Sequence, residues 1–256
     1  MSQSLVDEII RFALIKNDEW RMRLLRMVDA LGEEEAAFQI CWRTYQWPTR
    51  TPEKSLEEFA EKVSLERLLI IAQKHGIGDV VETVVGVAKT IPRFNPHGGF
   101  AVFGKFIGEL VRIAEASGGS LVNYFNKFTS VKDLENEFKK LPGMGPILAR
   151  GLVRELRLAD IIKLDVKDLD LAPSDPVMNV LKRISLIPKD ASPEDAENAV
   201  RKMLKEPPIV PPILLDAGVW HIGFYYCKEK PEKPECDICP ITHVCPKHID
   251  CGNEET

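Results

Sequence analysis

The sequence predicts an all-α fold, and three features predict it. Apolar residues recur at helical spacing along most of the chain. No two runs alternate apolar and polar residues around an Asn-Gly or Asp-Gly turn. Proline, glycine and capping residues punctuate the periodic segments at short intervals. Residues 4–31 carry Leu5, Ile9, Phe12, Leu14, Leu24, Met27, Val28 and Leu31 close to one helical face, and residues 33–46 continue until the Thr49-Arg-Thr-Pro break. Ser55, with Glu58 three residues on, has the form of a capping box. Ser64 with Arg67 opens a helix that ends near His75-Gly-Ile-Gly, and the next, 79–91, is stopped by Pro92. Residues 100–116 are helical up to Gly118-Gly119, and shorter helices fit 120–128 and 130–140. Residues 160–175 depart from this pattern: five aspartates stand among aliphatic residues, as in a short strand pair or an irregular crossover. Pro207-Pro208 and Pro211-Pro212 bracket a stiff link before a last helix, 213–226, and the tail after Cys227 reads as loop. About ten or more helices are expected, with no internal repeat.

Composition narrows the function. In 256 residues, 45% are hydrophobic and 29% charged, which excludes a disordered chain, a collagen and a small disulfide scaffold. No apolar run reaches the roughly 18 residues of a membrane span. The N-terminus lacks the basic start, apolar core and small-residue cleavage site of a secretory signal. A reducing, intracellular location (cytoplasm or nucleoid) is therefore expected, with the 6 cysteines as thiols or metal ligands. A net charge of −5 leaves room only for a local basic patch, not for a basic coat.

Such a patch surrounds Leu141-Pro-Gly-Met-Gly-Pro-Ile-Leu-Ala149. Gly143 and Gly145 permit backbone dihedrals that other residues resist, and Pro146 suits the first turn of a helix. The loop would present the free amides of a helix N-terminus, Gly143 to Ile147, to an anion. Such a site grips phosphate without reading a base. Lys139, Lys140, Arg150, Arg154 and Arg157 against Glu155 give +4 over residues 139–157.

The second motif is in the tail. Cys227, Cys236, Cys239 and Cys245 are spaced C-x8-C-x2-C-x5-C. Four thiolates suit Zn²⁺ or a [4Fe–4S] cluster. Cys251 offers an alternative set, 236/239/245/251, and His243 and His248 could serve zinc. Cys41, inside an apolar helix, reads as a small buried hydrophobe.

With both motifs in this order in an all-α chain, the sequence resembles the endonuclease III superfamily of DNA glycosylases. LPGMGPILA is similar to that family's helix-hairpin-helix, and Trp220-His-Ile-Gly-Phe-Tyr-Tyr-Cys227…Cys236-Asp-Ile-Cys239…Cys245 to its iron–sulfur loop. The x2 and x5 intervals match the family pattern; the first is x8 in place of the usual x6. The resemblance implies two helical domains: a six-helix barrel, 36–152, ending in the hairpin, and a second domain built from 1–35 and 153–256 with a [4Fe–4S] loop at 227–245. It also implies a monomer that acts on double-stranded DNA containing a damaged or mismatched base.

The family places a catalytic aspartate after the hairpin, at the start of a following helix. Asp175, ahead of Pro176-Val-Met-Asn-Val-Leu-Lys-Arg183, fits as an N-cap and is favoured. Asp165 matches the family's distance from the hairpin better but lacks a helix start. Members that also nick DNA carry lysine two residues after the second hairpin glycine. That position is Ile147, which cannot form a Schiff base, so the resemblance points to a monofunctional hydrolase. Lys139 or Lys140 could still support weak lyase chemistry. A carboxylate beside the sugar would stabilise the cation formed as the glycosidic bond breaks, once the base is flipped out. The helix dipole favours the charge of Asp175. Gln46 resembles the family's gap-filling glutamine, although Tyr45 replaces the alanine before it. The expected DNA contacts are Gly143, Gly145, Pro146, Ile147, Lys140, Arg150 and Gln46. Trp42 reads as a core residue and His221 as structural. The alternatives are a catalytically silent DNA-binding module, a glycosylase/lyase using another lysine, and a zinc-stapled interaction protein.

Overall fold

The computed structural model describes residues 3–49, 51–204, 210–228 and 234–246. Twelve α-helices and no strand occur among the described residues. They are α1 Gln3–Leu31, α2 Glu33–Tyr45, α3 Glu53–Lys62, α4 Leu65–His75, α5 Ile77–Thr90, α6 Gly99–Ala116, α7 Leu121–Phe125, α8 Val131–Phe138, α9 Pro146–Leu158, α10 Asp175–Arg183, α11 Pro193–Leu204 and α12 Pro212–His221. A π-helical turn, Ile222–Tyr226, extends α12. No helix among the described residues is long and apolar enough to cross a membrane.

Local sequence accounts for most boundaries. Ser64 caps α4 by accepting the Arg67 amide, as its position predicts. Ser55 does not start α3: Pro52 stands at that N-cap, and the Ser55 hydroxyl, one turn in, donates to the Pro92 carbonyl at 2.8 Å. The long carbonyl-directed bond claims the hydroxyl that a capping box would use. Residues 160–174 are irregular rather than a strand pair. Val166, Leu169 and Leu171 are buried while Asp165 and Asp168 face solvent, and Asp170 pairs with Arg201 on α11. Sequence reading passed over α11, whose signal was Ser192: its hydroxyl accepts the Asp195 amide, and Asp195 accepts the Ser192 amide at 2.8 Å.

The chain divides into two compact units, 23–165 and 1–22 plus 166–256. These cuts differ from the sequence-derived 36–152 and 1–35 plus 153–256. All of α9 lies in the hairpin unit, where Leu152, Val153 and Leu156 are buried and the helix packs against α2 and α8.

In the unit 23–165, α2 is the central helix, with Phe38, Cys41, Trp42 and Tyr45 fully buried. Rings interlock around it: Tyr45 stacks on Phe106 at 4.3 Å, and Trp42 meets Phe59 edge-on at 5.1 Å. Glu34 and Glu35 at the start of α2 serve other helices. Glu34 accepts the Leu121 amide at 2.8 Å and Glu35 the Leu65 amide at 2.9 Å, filling orphan donors at the N-termini of α7 and α4. Burial raises the Glu35 pKa, and the hydrogen bonds from the Leu65 amide and the Gln39 side chain oppose the shift. Burial likewise pushes the Cys41 thiol up, which fits the inert core residue expected.

In the unit 1–22 plus 166–256, Leu5, Ile9 and Ala13 of α1 join Val177, Val180 and Leu181 of α10, Val200 of α11, and Leu215, Val219 and Ile222 in one apolar core. Ile241 of the tail is part of this core, and Cys227, Cys239, Val244 and Cys245 lie half-buried against it.

Candidate nucleic-acid interface and catalytic carboxylate

The hairpin is Lys139–Gly145, between α8 and α9. The Met144 amide bonds the Leu141 carbonyl at 3.1 Å, closing a tight turn over Pro142-Gly143. Gly143 sits at φ +73°, in the left-handed region, and a Cβ there would also collide with the Tyr45 hydroxyl. Leu141, Met144 and Leu148 point inward, while Gly143, Pro146 and Ile147 face solvent. Gly145 is the N-cap of α9 and Pro146 its first residue, as expected. Among the described residues, no backbone carbonyl is bonded to the amides of Gly143, Gly145, Ile147 or Leu148. The hairpin therefore offers amide donors on an exposed face, a geometry suited to an anion.

The charge around it departs from the sequence reading. Lys139 pairs with Glu135 at 3.0 Å, Arg150 with Glu135 at 3.1 Å, Lys140 with Glu137 at 2.5 Å and Arg157 with Asp160 at 2.9 Å. Arg154 and Glu155 form a buried pair at 2.9 Å, with the guanidinium over the Trp47 ring. The formal +4 of residues 139–157 falls to +1 over 135–160. The compensating carboxylates, Glu135 and Glu137, lie on α8, just before the hairpin. The Lys140 hydrogen bond is the main cause that holds the Glu137 carboxyl below its usual value. Burial, followed by the Glu137 hydrogen bond, raises the Tyr124 hydroxyl to about 12.

The end of α2 lies against this hairpin through Tyr45, whose hydroxyl adjoins Gly143. Burial raises that hydroxyl to about 12, and it has no hydrogen-bond partner among the described residues. Gln46 is only 2% exposed. Its Oε1 accepts from Thr49 at 3.2 Å and its Nε2 has no partner among the described residues. A gap-filling role would require this side chain to leave its pocket. Trp42 is a core residue, as expected.

Asp175 is exposed at the first position of α10. The N-cap is Ser174, not Asp175, and Pro176 occupies the second position. The carboxylate still lies in the first turn, where the helix dipole favours its charge. Asp165 is exposed in irregular chain without a helix start. Two contacts tie α10 to the cysteine-bearing segment. A Cβ on Gly223 of the π-helical turn would fall on the Pro176 carbonyl oxygen and lie 2.6 Å from its carbon. Arg183, at the other end of α10, donates to the Lys228 carbonyl at 2.5 Å.

None of the described cysteines is in a disulfide. Cys227 closes the π-helical turn through its amide on the Ile222 carbonyl at 2.8 Å. Cys236–Ile238 is a 3₁₀ turn, and the Cys239 amide bonds the Cys236 carbonyl at 3.2 Å. Among the described residues, no three His, Cys, Asp or Glu side chains are gathered to hold a metal ion. Cys251 and His248 lie outside the described residues. His221 lies beside Phe12 and Tyr225, and burial, then the charge of Lys16, lowers its pKa.

No protein-family model matches the chain, and no curated protein matches it. Among solved structures it is similar to a non-covalent endonuclease III–DNA complex, with 14% identity, TM-score 0.50, and coverage of 91% of this chain and 96% of that one. A trapped endonuclease III–DNA covalent intermediate, an estranged-adenine complex, matches at 16% identity with the same TM-score and coverage. The chain thus has an endonuclease III-like, all-helical fold.

Proposed function

We propose that this protein is a DNA glycosylase that hydrolyses the N-glycosidic bond of a damaged or mismatched base, without efficient strand cleavage. The observation that carries this reading is the exposed Asp175 in the first turn of α10, in an endonuclease III-like fold. The hairpin amides would hold backbone phosphate. Asp175 would stabilise the developing sugar cation and orient or deprotonate the attacking water. Ile147, 37% exposed on the hairpin face, stands where a lyase would need a nucleophilic amine. Lys140 and Arg150 would reach phosphate only by exchanging their partners Glu137 and Glu135. Gln46 would fill the vacated stack after leaving its pocket, where its unpaired Nε2 gives up no bond.

The tail would hold a [4Fe–4S] cluster on Cys227, Cys236, Cys239 and Cys245. Three of these thiols rest against one apolar core, and four thiolates are the donor type such a cluster takes. The cluster would supply a structural cross-link, coupling metal binding to tail folding.

The test is base release from duplexes carrying oxidised purines, deaminated bases or mismatched thymine. The expected product is an intact abasic strand, cut only after alkali and trapped poorly by borohydride. Strong trapping would overturn the monofunctional reading. A catalytically silent DNA-binding module is the second reading, favoured by the paired cations around the hairpin; binding without release from any substrate would select it.

A further inference from the structure

We propose that Gly223 is a positioning residue for Asp175: the π-helical turn Ile222–Tyr226 acts as a buttress that fixes the first turn of α10. The inference rests on the catalytic reading of Asp175 given above.

A π-turn inside a longer helix costs hydrogen-bond geometry, and such turns cluster at functional sites. This one begins directly after α12 and is closed by the Cys227 amide on the Ile222 carbonyl. Its second residue, Gly223, is fully packed, and its Cα faces the backbone of Pro176. Any side chain there would strike the Pro176 carbonyl oxygen and lie 2.6 Å from its carbon and 2.9 Å from its Cα. The atoms struck are backbone, so no rotamer change relieves the collision. Pro176 is the residue after Asp175, and the carboxylate hangs from the same turn. Arg183 secures the opposite end of α10 to the Lys228 carbonyl, just beyond the same π-turn. The two contacts define where α10 begins and how far it can slide or tilt. An exposed carboxylate with no buried pocket of its own takes its position from that backbone.

Gly218, on the preceding helix, provides an internal control. It makes an equally close approach, to Ala13 of α1, where a Cβ would lie 2.7 Å from the Ala13 Cβ. The three atoms nearest that Cβ all belong to Ala13 of α1, whereas those nearest a Gly223 Cβ all belong to Pro176 of α10.

The experiment compares Gly223→Ala with Gly218→Ala in the full chain, measuring melting temperature, duplex binding and single-turnover base release. Both variants are expected to melt lower. Gly223→Ala should also lose about 10²-fold in release rate, the scale of a displacement near 1 Å, with duplex Kd unchanged within about twofold. Gly218→Ala should keep the wild-type rate per folded molecule. In an Asp175→Asn background, Gly223→Ala should add no further loss, because its effect runs through that carboxylate. Wild-type release by Gly223→Ala, equal rate losses in both glycine variants, or an additive loss in the double variant would overturn the proposal. Should Gly223→Ala fail to fold, amide exchange of the wild type decides. Residues 177–180 and 222–227 should open together as one unit with one denaturant dependence, and independent opening would overturn the buttress. If the wild type releases no base at all, the catalytic reading fails, and the exchange experiment still reports whether the buttress exists.

Discussion

The hairpin and the Asp175 turn are both helix N-termini on exposed chain, yet they are built in opposite ways. The hairpin is made almost wholly by its own sequence: a Pro-Gly turn, a glycine at positive φ and a proline at the first helical position, within seven residues of one another. The atoms proposed to bind phosphate are its backbone amides, which need no side chain to be placed. The Asp175 turn carries a single side chain proposed for catalysis, and α10 packs against Gly223 and bonds through Arg183 to Lys228, 45 residues away. One site is local and tolerates change elsewhere; the other is distributed and should fail when distant segments move.

Removing the charge of Asp175 sharpens that contrast most. Asp175→Asn keeps the size of the side chain, so it should fold and bind duplex as wild type does while losing about 10²–10⁴-fold in base release. Asp165→Asn should release base normally; the reverse pattern would move the site.

Next in size is the buried pair beneath the hairpin. Glu155→Ala removes the carboxylate that the buried Arg154 guanidinium, beside Trp47, holds at 2.9 Å. The expected cost is about 3–5 kcal/mol in stability, read by denaturant unfolding. A loss below roughly 1 kcal/mol would mean that Arg154 finds water or another acceptor.

The hairpin itself should yield to Gly143→Ala. The left-handed backbone costs about 1–2 kcal/mol with a Cβ present, and the Cβ also meets the Tyr45 hydroxyl. Duplex affinity should fall for every sequence alike, in titrations at fixed salt. Sequence-dependent loss would mean that the hairpin reads bases.

A smaller gain of function tests the charge correction. Glu135→Gln removes a carboxylate that Lys139 and Arg150 share. The loss of that negative charge should tighten duplex binding by roughly two- to tenfold and steepen its salt dependence. Unchanged binding would place these side chains outside the DNA footprint.

The mildest effect is a pH dependence in the unit that contains Asp175. His221 has a folded pKa below its ordinary value, so protons bind the unfolded state more readily. The stability tied to neutral His221 is complete above about 6.5, falls as pH drops below it, and levels off below the folded value. Melting curves of wild type and His221→Asn should therefore converge as the solution is acidified from neutrality.

The sequence by itself determined most of the helices, α11 excepted, because their periods, caps and breakers act within one or two turns. It likewise determined the hairpin, where Gly143 and Pro146 dictate their own conformations, and the burial of Trp42 and Cys41, which follows from an apolar helix face. Asp175 was legible as a helix-start residue, displaced by one position from the cap. Only the tertiary structure decided the rest. It paired the hairpin cations with Glu135 and Glu137, because helix neighbours lie three and four residues apart rather than side by side in sequence. It turned Gln46 inward against Thr49, moved Ser55 off the helix cap toward the distant Pro92 carbonyl, and brought Gly223 onto the backbone beside Asp175. These are choices among partners far apart in the chain, and the energy that selects them is the packing of a shared core, which no local window contains.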